Sequence, residues 1–155
     1  MPIASSGSAV SNLHHVGVIV RDMDAAARDN SARFGLGGVV RRQTMRFENA
    51  LYRGERISYS AEFGFQDLEN TTIELIQPIG SDRSPYLDAL NESGECTHHL
   101  ACFVPSIDAH LEAARRANPN LSVLVESATP DGAIRFVYVE GLVRGVLMEL
   151  MERCR

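Results

Sequence analysis

Two histidine pairs open apolar runs in this 155-residue chain: His14-His15 in "LHHVGVIV" (13–20) and His98-His99 in "THHLACFV" (97–104). An imidazole carries a proton or ligates a metal near neutral pH. Two glutamates stand inside other apolar runs, Glu74 in "TTIELIQP" and Glu149 in "GVLMELME". An ionised carboxylate among Ile73, Leu75, Met148 and Leu150 is costly to bury without a partner. Taken singly, each glutamate suits the solvent side of a half-exposed strand. Brought together, two imidazoles and two carboxylates make a mixed nitrogen and oxygen set for a divalent cation, with positions left for water or substrate.

The elements that must position these groups repeat. Setting His15 on His99 places "HHVGVIVRDMDAAARD" over "HHLACFVPSIDAHLEA", and in both halves an aspartate, Asp24 or Asp108, follows nine residues later. Each aspartate precedes an alanine-rich stretch of helix-forming composition, and is expected to cap that helix by accepting from free backbone N–H groups. Gly35 and the Asn118-Pro119 pair suit the helix ends. Strand-like runs follow, "GGVVRRQTM" and "RISYSAEFGF" in the first half, "SVLVESA" and "IRFVYVE" in the second. The glutamate-bearing strands close each half. Each half therefore reads βαβββ, the pattern of an internal repeat. The expected division is a flexible tail over 1–12 and one domain over 13–152. Within the domain, the first module spans about 13–78 and the second about 97–152. A linker over about 79–96 carries a short helix around "PYLDAL".

Strand alternation selects one histidine of each pair. His15 shares a face with Gly17 and Ile19, and His99 with Ala101 and Phe103; the small residues leave room for something bulky above the strand. His14 falls with Val16, Val18 and Val20, and His98 with Leu100, Cys102 and Val104, faces suited to packing. If a pseudo-two-fold axis relates the modules, His15, Glu74, His99 and Glu149 converge on one point.

Composition narrows the rest. Charged residues make up 23% and the net charge is -5, so a general nucleic-acid binder, which needs a basic face, is not expected. Arg41, Arg42, Arg46, Arg53 and Arg56 lie close together in sequence and leave local contact with an anionic ligand open. Three cysteines without CxxC spacing argue against a disulfide framework or zinc ribbon and fit a reducing cytoplasm. The first twelve residues lack the basic and apolar regions of a secretory signal, and no run reaches the roughly 18–20 apolar residues of a membrane span.

The segments "LHHVGVIVRDMDAA", "TTIELIQPIGSDRSPYLDAL", "THHLACFV" and "GVLMELME", in that order, resemble the vicinal oxygen chelate superfamily over roughly residues 13–152, and within it the methylmalonyl-CoA epimerases. That resemblance implies an α+β fold of two tandem βαβββ modules forming a cupped eight-stranded mixed sheet around a metal. It implies His15, Glu74, His99 and Glu149 as ligands of one divalent ion (Co²⁺, Mn²⁺, Ni²⁺, Zn²⁺ or Mg²⁺), a homodimer, and an acyl-CoA thioester as substrate. The expected chemistry is removal of a proton α to a carbonyl through a metal-stabilised enolate, epimerising a 2-substituted malonyl thioester. Such a reaction needs two proton-transfer groups; Glu149 is expected to be one and Glu48, in "MRFENALYRG", the other. A glyoxalase I-like lyase would use the same four ligands. An extradiol dioxygenase would leave one carboxylate surplus, and a drug-sequestering binder would need none of the four.

Overall fold

The structure, a computed structural model, describes residues 10, 12–143 and 145–154, without the side chains of 141–143. The tail expected over 1–12 lies outside the described residues except for Val10 and Asn12. The elements run β1 (His15–Ile19), α1 (Met23–Phe34), β2 (Arg41–Tyr52), β3 (Glu55–Asp67), β4 (Thr72–Ile79), α2 (Pro85–Ser93), β5 (Cys96–Phe103), α3 (Ile107–Ala117), β6 (Val123–Ala128), β7 (Ile134–Val143) and β8 (Val146–Arg153). This is βαβββ, a helix, and βαβββ again.

The eight strands close in the order β1-β4-β3-β2-β6-β7-β8-β5. Both first strands pair parallel with the last strand of their own half, β1 with β4 and β5 with β8. Between halves, β1 runs antiparallel to β5 along its length, whereas β2 meets β6 only at Leu51–Glu126 and Tyr52–Val125. The barrel is thus a deep cup with one firm seam, β1/β5, and one short one.

Helix ends follow local chemistry. Asp22 and Ser106 cap α1 and α3, accepting from the backbone N–H of Ala25 and Ala109. The expected caps, Asp24 and Asp108, sit two residues further on, in the first turn, where a negative charge still complements the helix dipole. Their carboxylates instead pair with Arg42 and Arg135, tying each helix to the sheet. Gly35 ends α1 in the left-handed conformation (φ 68°), and Asn118 ends α3. Helix α2 starts on a Ser84 cap with Pro85 at its first position, where the missing N–H costs nothing.

Burial divides into three cores. Under α1 lie Val20, Met23 and Leu75; under α3 lie Val104, Ile107, Leu111 and Leu150, which occupy equivalent places in the repeat. The third core fills the barrel and is aromatic, with Phe47, Tyr59, Phe63, Tyr86, Phe136 and Tyr138. Among the described residues the cysteines are free, and no helix is long and apolar enough to cross a membrane.

Candidate metal centre

Register places the four predicted donors. Across the β1/β5 seam His15 faces Ala101 and Gly17 faces His99. On the outer sides, Gly17 faces Glu74 of β4 and Ala101 faces Glu149 of β8. Two rungs of the sheet therefore carry His15, Ala101, Glu149 and Glu74, Gly17, His99. All point into the cup, because β1 alternates as expected, with His15, Gly17 and Ile19 buried. Gly17 is required by its neighbour: a Cβ there would lie 2.1–2.5 Å from the His99 ring.

The donor atoms converge. The Nε2 atoms of His15 and His99 are 3.1 Å apart. His15 Nε2 lies 3.3 Å from Glu74 Oε2 and 3.0 Å from Glu149 Oε2; His99 Nε2 lies 3.4 and 3.3 Å from the same atoms. All four residues are buried. Glu149 Oε2, despite this proximity, has no properly directed hydrogen bond. The arrangement is one of lone pairs aimed at a common point, and it fits a divalent cation. Bonds of roughly 2.0–2.2 Å at right angles would separate neighbouring donors by about 3.0 Å, and tetrahedral ones by about 3.4 Å. His15, Glu74 and His99 form a group able to hold a metal ion, and Glu149 stands against both of its nitrogens.

The field agrees. Burial opposes charge on His15, but Glu74 and Glu149 outweigh it and raise its pKa to about 10. Burial likewise disfavours the Glu74 carboxylate, and His15 nonetheless holds it well below the usual carboxylate range. A site that draws a proton so strongly onto Nε2 favours a cation in the same place.

His14 and His98 pack, as expected, His14 on Phe103 and His98 in the interior, and each also meets a donor ring. His14 Nδ1 is 2.9 Å from His15 Nδ1, and His98 Nδ1 is 2.8 Å from His99 Nδ1. The reason at His98 is a β-bulge: Gly17 pairs with His99 but Val18 with Thr97, so His98 is the extra residue and alternation fails there. Its ring packs on Tyr86 and Tyr138 (5.4 and 5.1 Å between centroids). Burial and the neighbouring His99 lower the His98 pKa to about 3; burial and His15 lower that of His14. Both are therefore neutral near pH 7. With a cation on Nε2 of His15 and His99, the ring proton of each would stand on Nδ1 and be donated to the neighbouring histidine. Tyr138 stacks on His99 (4.9 Å, 28°), and its hydroxyl shares a 2.7 Å hydrogen bond with that of Tyr86. These supporting residues are invisible to a reading of alternation alone.

Glu48 is not brought to the site. It lies in a bulge of β2 between inward-facing Phe47 and Ala50, is exposed, and pairs with Arg46 at 2.6 Å. A hydrogen bond from Ser58, with Arg46, holds its carboxyl below the ordinary range, so a base on the cup's far face is not found there. Of the clustered arginines, Arg41 pairs with Asp67, Arg42 with Asp24 and Glu62, and Arg56 donates to the Asn49 carbonyl. Arg153 differs: its guanidinium lies over the Phe103 ring (4.1 Å), and no carboxylate among the described residues pairs with it.

A cavity of about 250 Å³ opens over the donors, walled by aromatic side chains and Met45, with His14 and Arg153 also lining it. A larger depression of about 610 Å³ beside α2 reaches His98 but none of the four donors; the smaller cavity is the one that meets them.

Residues 14–138 match the model of the Glyoxalase/Bleomycin resistance protein/Dioxygenase superfamily. Among solved structures, the chain is similar to methylmalonyl-CoA epimerase from Mycobacterium tuberculosis at 20% identity and a TM-score of 0.67, covering 99% of this chain and 94% of that one. A variant of the Streptomyces coelicolor methylmalonyl-CoA epimerase in complex with 2-nitronate-propionyl-CoA gives 20% identity and a TM-score of 0.59, covering 95% and 100%. A hypothetical protein from Bacillus halodurans gives 20% identity and 0.64, covering 93% and 95%. At that identity the likeness is one of fold. No curated protein sequence matches the chain.

Proposed function

Because the chain belongs to the Glyoxalase/Bleomycin resistance protein/Dioxygenase superfamily, we propose that it is a metal-dependent epimerase that moves the proton α to a carbonyl of a 2-substituted malonyl thioester. The observation that carries this reading is the convergence of His15, His99, Glu74 and Glu149 within 3.0–3.4 Å at the floor of a closed, apolar cup. The proposed ligand set is these four residues, and the ion is one of Co²⁺, Mn²⁺, Ni²⁺, Zn²⁺ or Mg²⁺, all of which accept mixed nitrogen and oxygen donors. Such an ion supplies Lewis-acid stabilisation of the negative charge that grows on the acyl oxygens as the α-proton leaves.

The protein's own residues do the remainder. Glu149 is the proposed proton carrier: its carboxylate is buried, its Oε2 lacks a directed hydrogen bond, and the residue lines the cavity. His14 and His98, which face Nδ1 of His15 and His99, would accept the ring proton there once a cation occupies Nε2. The aromatic wall excludes water, so that the carbanion's charge is met by fixed groups. Arg153, without a carboxylate of its own, is placed to receive an anionic part of the substrate at the cup's edge. Similarity to structures that hold methylmalonyl-CoA or its nitronate analogue supports a CoA thioester as partner. A cytoplasmic homodimer completes the proposal.

The test is α-proton exchange in D₂O, followed by NMR, with a panel of 2-substituted malonyl-CoA thioesters and glutathione hemithioacetals. Stereochemical scrambling with solvent deuterium at C2 of a thioester is the expected result. Exchange confined to the hemithioacetals would turn the reading to a glyoxalase-type isomerase, and no exchange with any of them would end it.

A further inference from the structure

Five of the chain's six phenylalanines, Phe47, Phe63, Phe65, Phe103 and Phe136, line the cavity that opens over the donors. They come from β2, β3, β5 and β7, so both halves of the chain contribute. Phe47, Phe63 and Phe136 are almost fully buried, and Phe47 meets the other two edge-on at 6.0 and 5.8 Å. This wall is prepacked in the arrangement aromatic rings prefer, yet it leaves about 250 Å³ open.

Phe47, Phe63, Phe65 and Phe136 offer a polar substituent no hydrogen bond, and the other polar groups of the cavity stand apart from them or are engaged. Of the polar residues lining the cavity besides the donors, their histidine partner and the two tyrosines, Gln43 and Arg153 are exposed, and the Thr129 hydroxyl is 2.6 Å from Asp131. The malonyl oxygens and an ion would occupy the part of this space next to the donors, and a methyl group would cover less of the aromatic wall than an aryl or branched alkyl group.

We propose that the cup selects a malonyl-type substrate whose 2-substituent is bulky and apolar, an aryl or branched alkyl group seated among Phe47, Phe63, Phe65 and Phe136. The inference rests on the epimerase reading for the position of the acyl oxygens, and it names the substituent that reading leaves open. One methylene in an apolar pocket is worth about 10–200-fold in discrimination, so a ring in place of a methyl gives a large, readable difference.

Calorimetric titration of the metal-loaded protein with methylmalonate, isobutylmalonate and benzylmalonate measures this without turnover. Benzylmalonate is expected to bind at least tenfold more tightly than methylmalonate, with isobutylmalonate between them. Met45, half-buried on the wall, supplies the second measurement: Met45→Trp narrows the cup and is expected to bring the benzyl-to-methyl affinity ratio to one or below. Equal or tighter binding of methylmalonate by the unaltered protein overturns the inference, as does failure of all three to bind, or a ratio unmoved by Met45→Trp. The exchange assay separates the two claims. Exchange with methylmalonyl-CoA and no benzyl preference in binding defeats only the inference; a benzyl preference with no exchange from any thioester defeats only the epimerase reading.

Discussion

Gly17→Ala is the smallest change that should dismantle the centre. A Cβ at this position lies 2.1 Å from Cε1, 2.4 Å from Nε2 and 2.5 Å from Nδ1 of His99. Carbon atoms in contact normally keep about 3.5–4.0 Å, so the ring must withdraw by roughly 1 Å or more. Donor positions in a metal site tolerate only about 0.2 Å, and His99 would leave the shell. Loss of an outer partner of a ligating histidine typically costs 10–100-fold in metal affinity; removing the ligand itself should exceed about 100-fold. Overpacking adds a stability cost of about 1–3 kcal/mol, small enough for the domain to remain folded. Competition against a chromogenic chelator gives the affinity, and thermal unfolding in excess chelator gives the stability. The pseudo-symmetric residue is the control. Ala101 already carries a Cβ opposite His15, so Ala101→Gly should lower stability by about 0.5–1 kcal/mol and leave metal affinity nearly unchanged. A folded Gly17→Ala protein with ordinary metal affinity would refute the placement of His99 in the site.

For Glu149→Gln, saturating metal should restore occupancy while α-proton exchange stays depressed by about two to four orders of magnitude, whereas Glu74→Gln should regain far more; near-normal exchange in the metal-saturated Glu149 variant would confine that residue to coordination. His14→Ala and His98→Ala should each weaken metal binding by about 10–100-fold, measured by the same competition, and unchanged affinity would return both histidines to a packing role. In chelator-treated protein, His15 carries a pKa raised to about 10, so its stabilising contribution is full below about pH 6.5 and is lost as pH rises towards 10. The melting temperature of the metal-free protein should therefore fall across that interval while metal affinity rises, because binding must displace that proton; a melting temperature that climbs with pH would contradict the assigned coupling. Glu48→Gln should leave exchange within twofold of normal, since its carboxylate faces Arg46 and solvent.

Much of the centre was legible in the residues because the chain states it twice. His15 and His99, and Glu74 and Glu149, occupy equivalent places in two copies of one pattern, and the β1 alternation that turns His15 inward with Gly17 is a local property of extended backbone. The helix ends at Gly35 and Asn118 are local too. What depends on contacts distant in sequence was not readable. The Asp22 and Ser106 caps were missed because Asp24 and Asp108 offer the same chemistry two residues away; the backbone is extended at Asp22 and Ser106 and already helical at Asp24 and Asp108, which pair instead with Arg42 and Arg135 of the sheet. The bulge at His98 arises from the register of β5 on β1, and it reverses the direction that alternation assigns. Glu48 is a carboxylate in a plausible place until the β2 bulge and Arg46 take it out of the cup. The aromatic wall is drawn from strands that the sequence scatters over about ninety positions, Phe47 to Phe136. Composition and period fix which residues face inward along one strand; only closure of the barrel, through β1 against β5 and β2 against β6, decides which inward faces meet and how much space they leave above the donors.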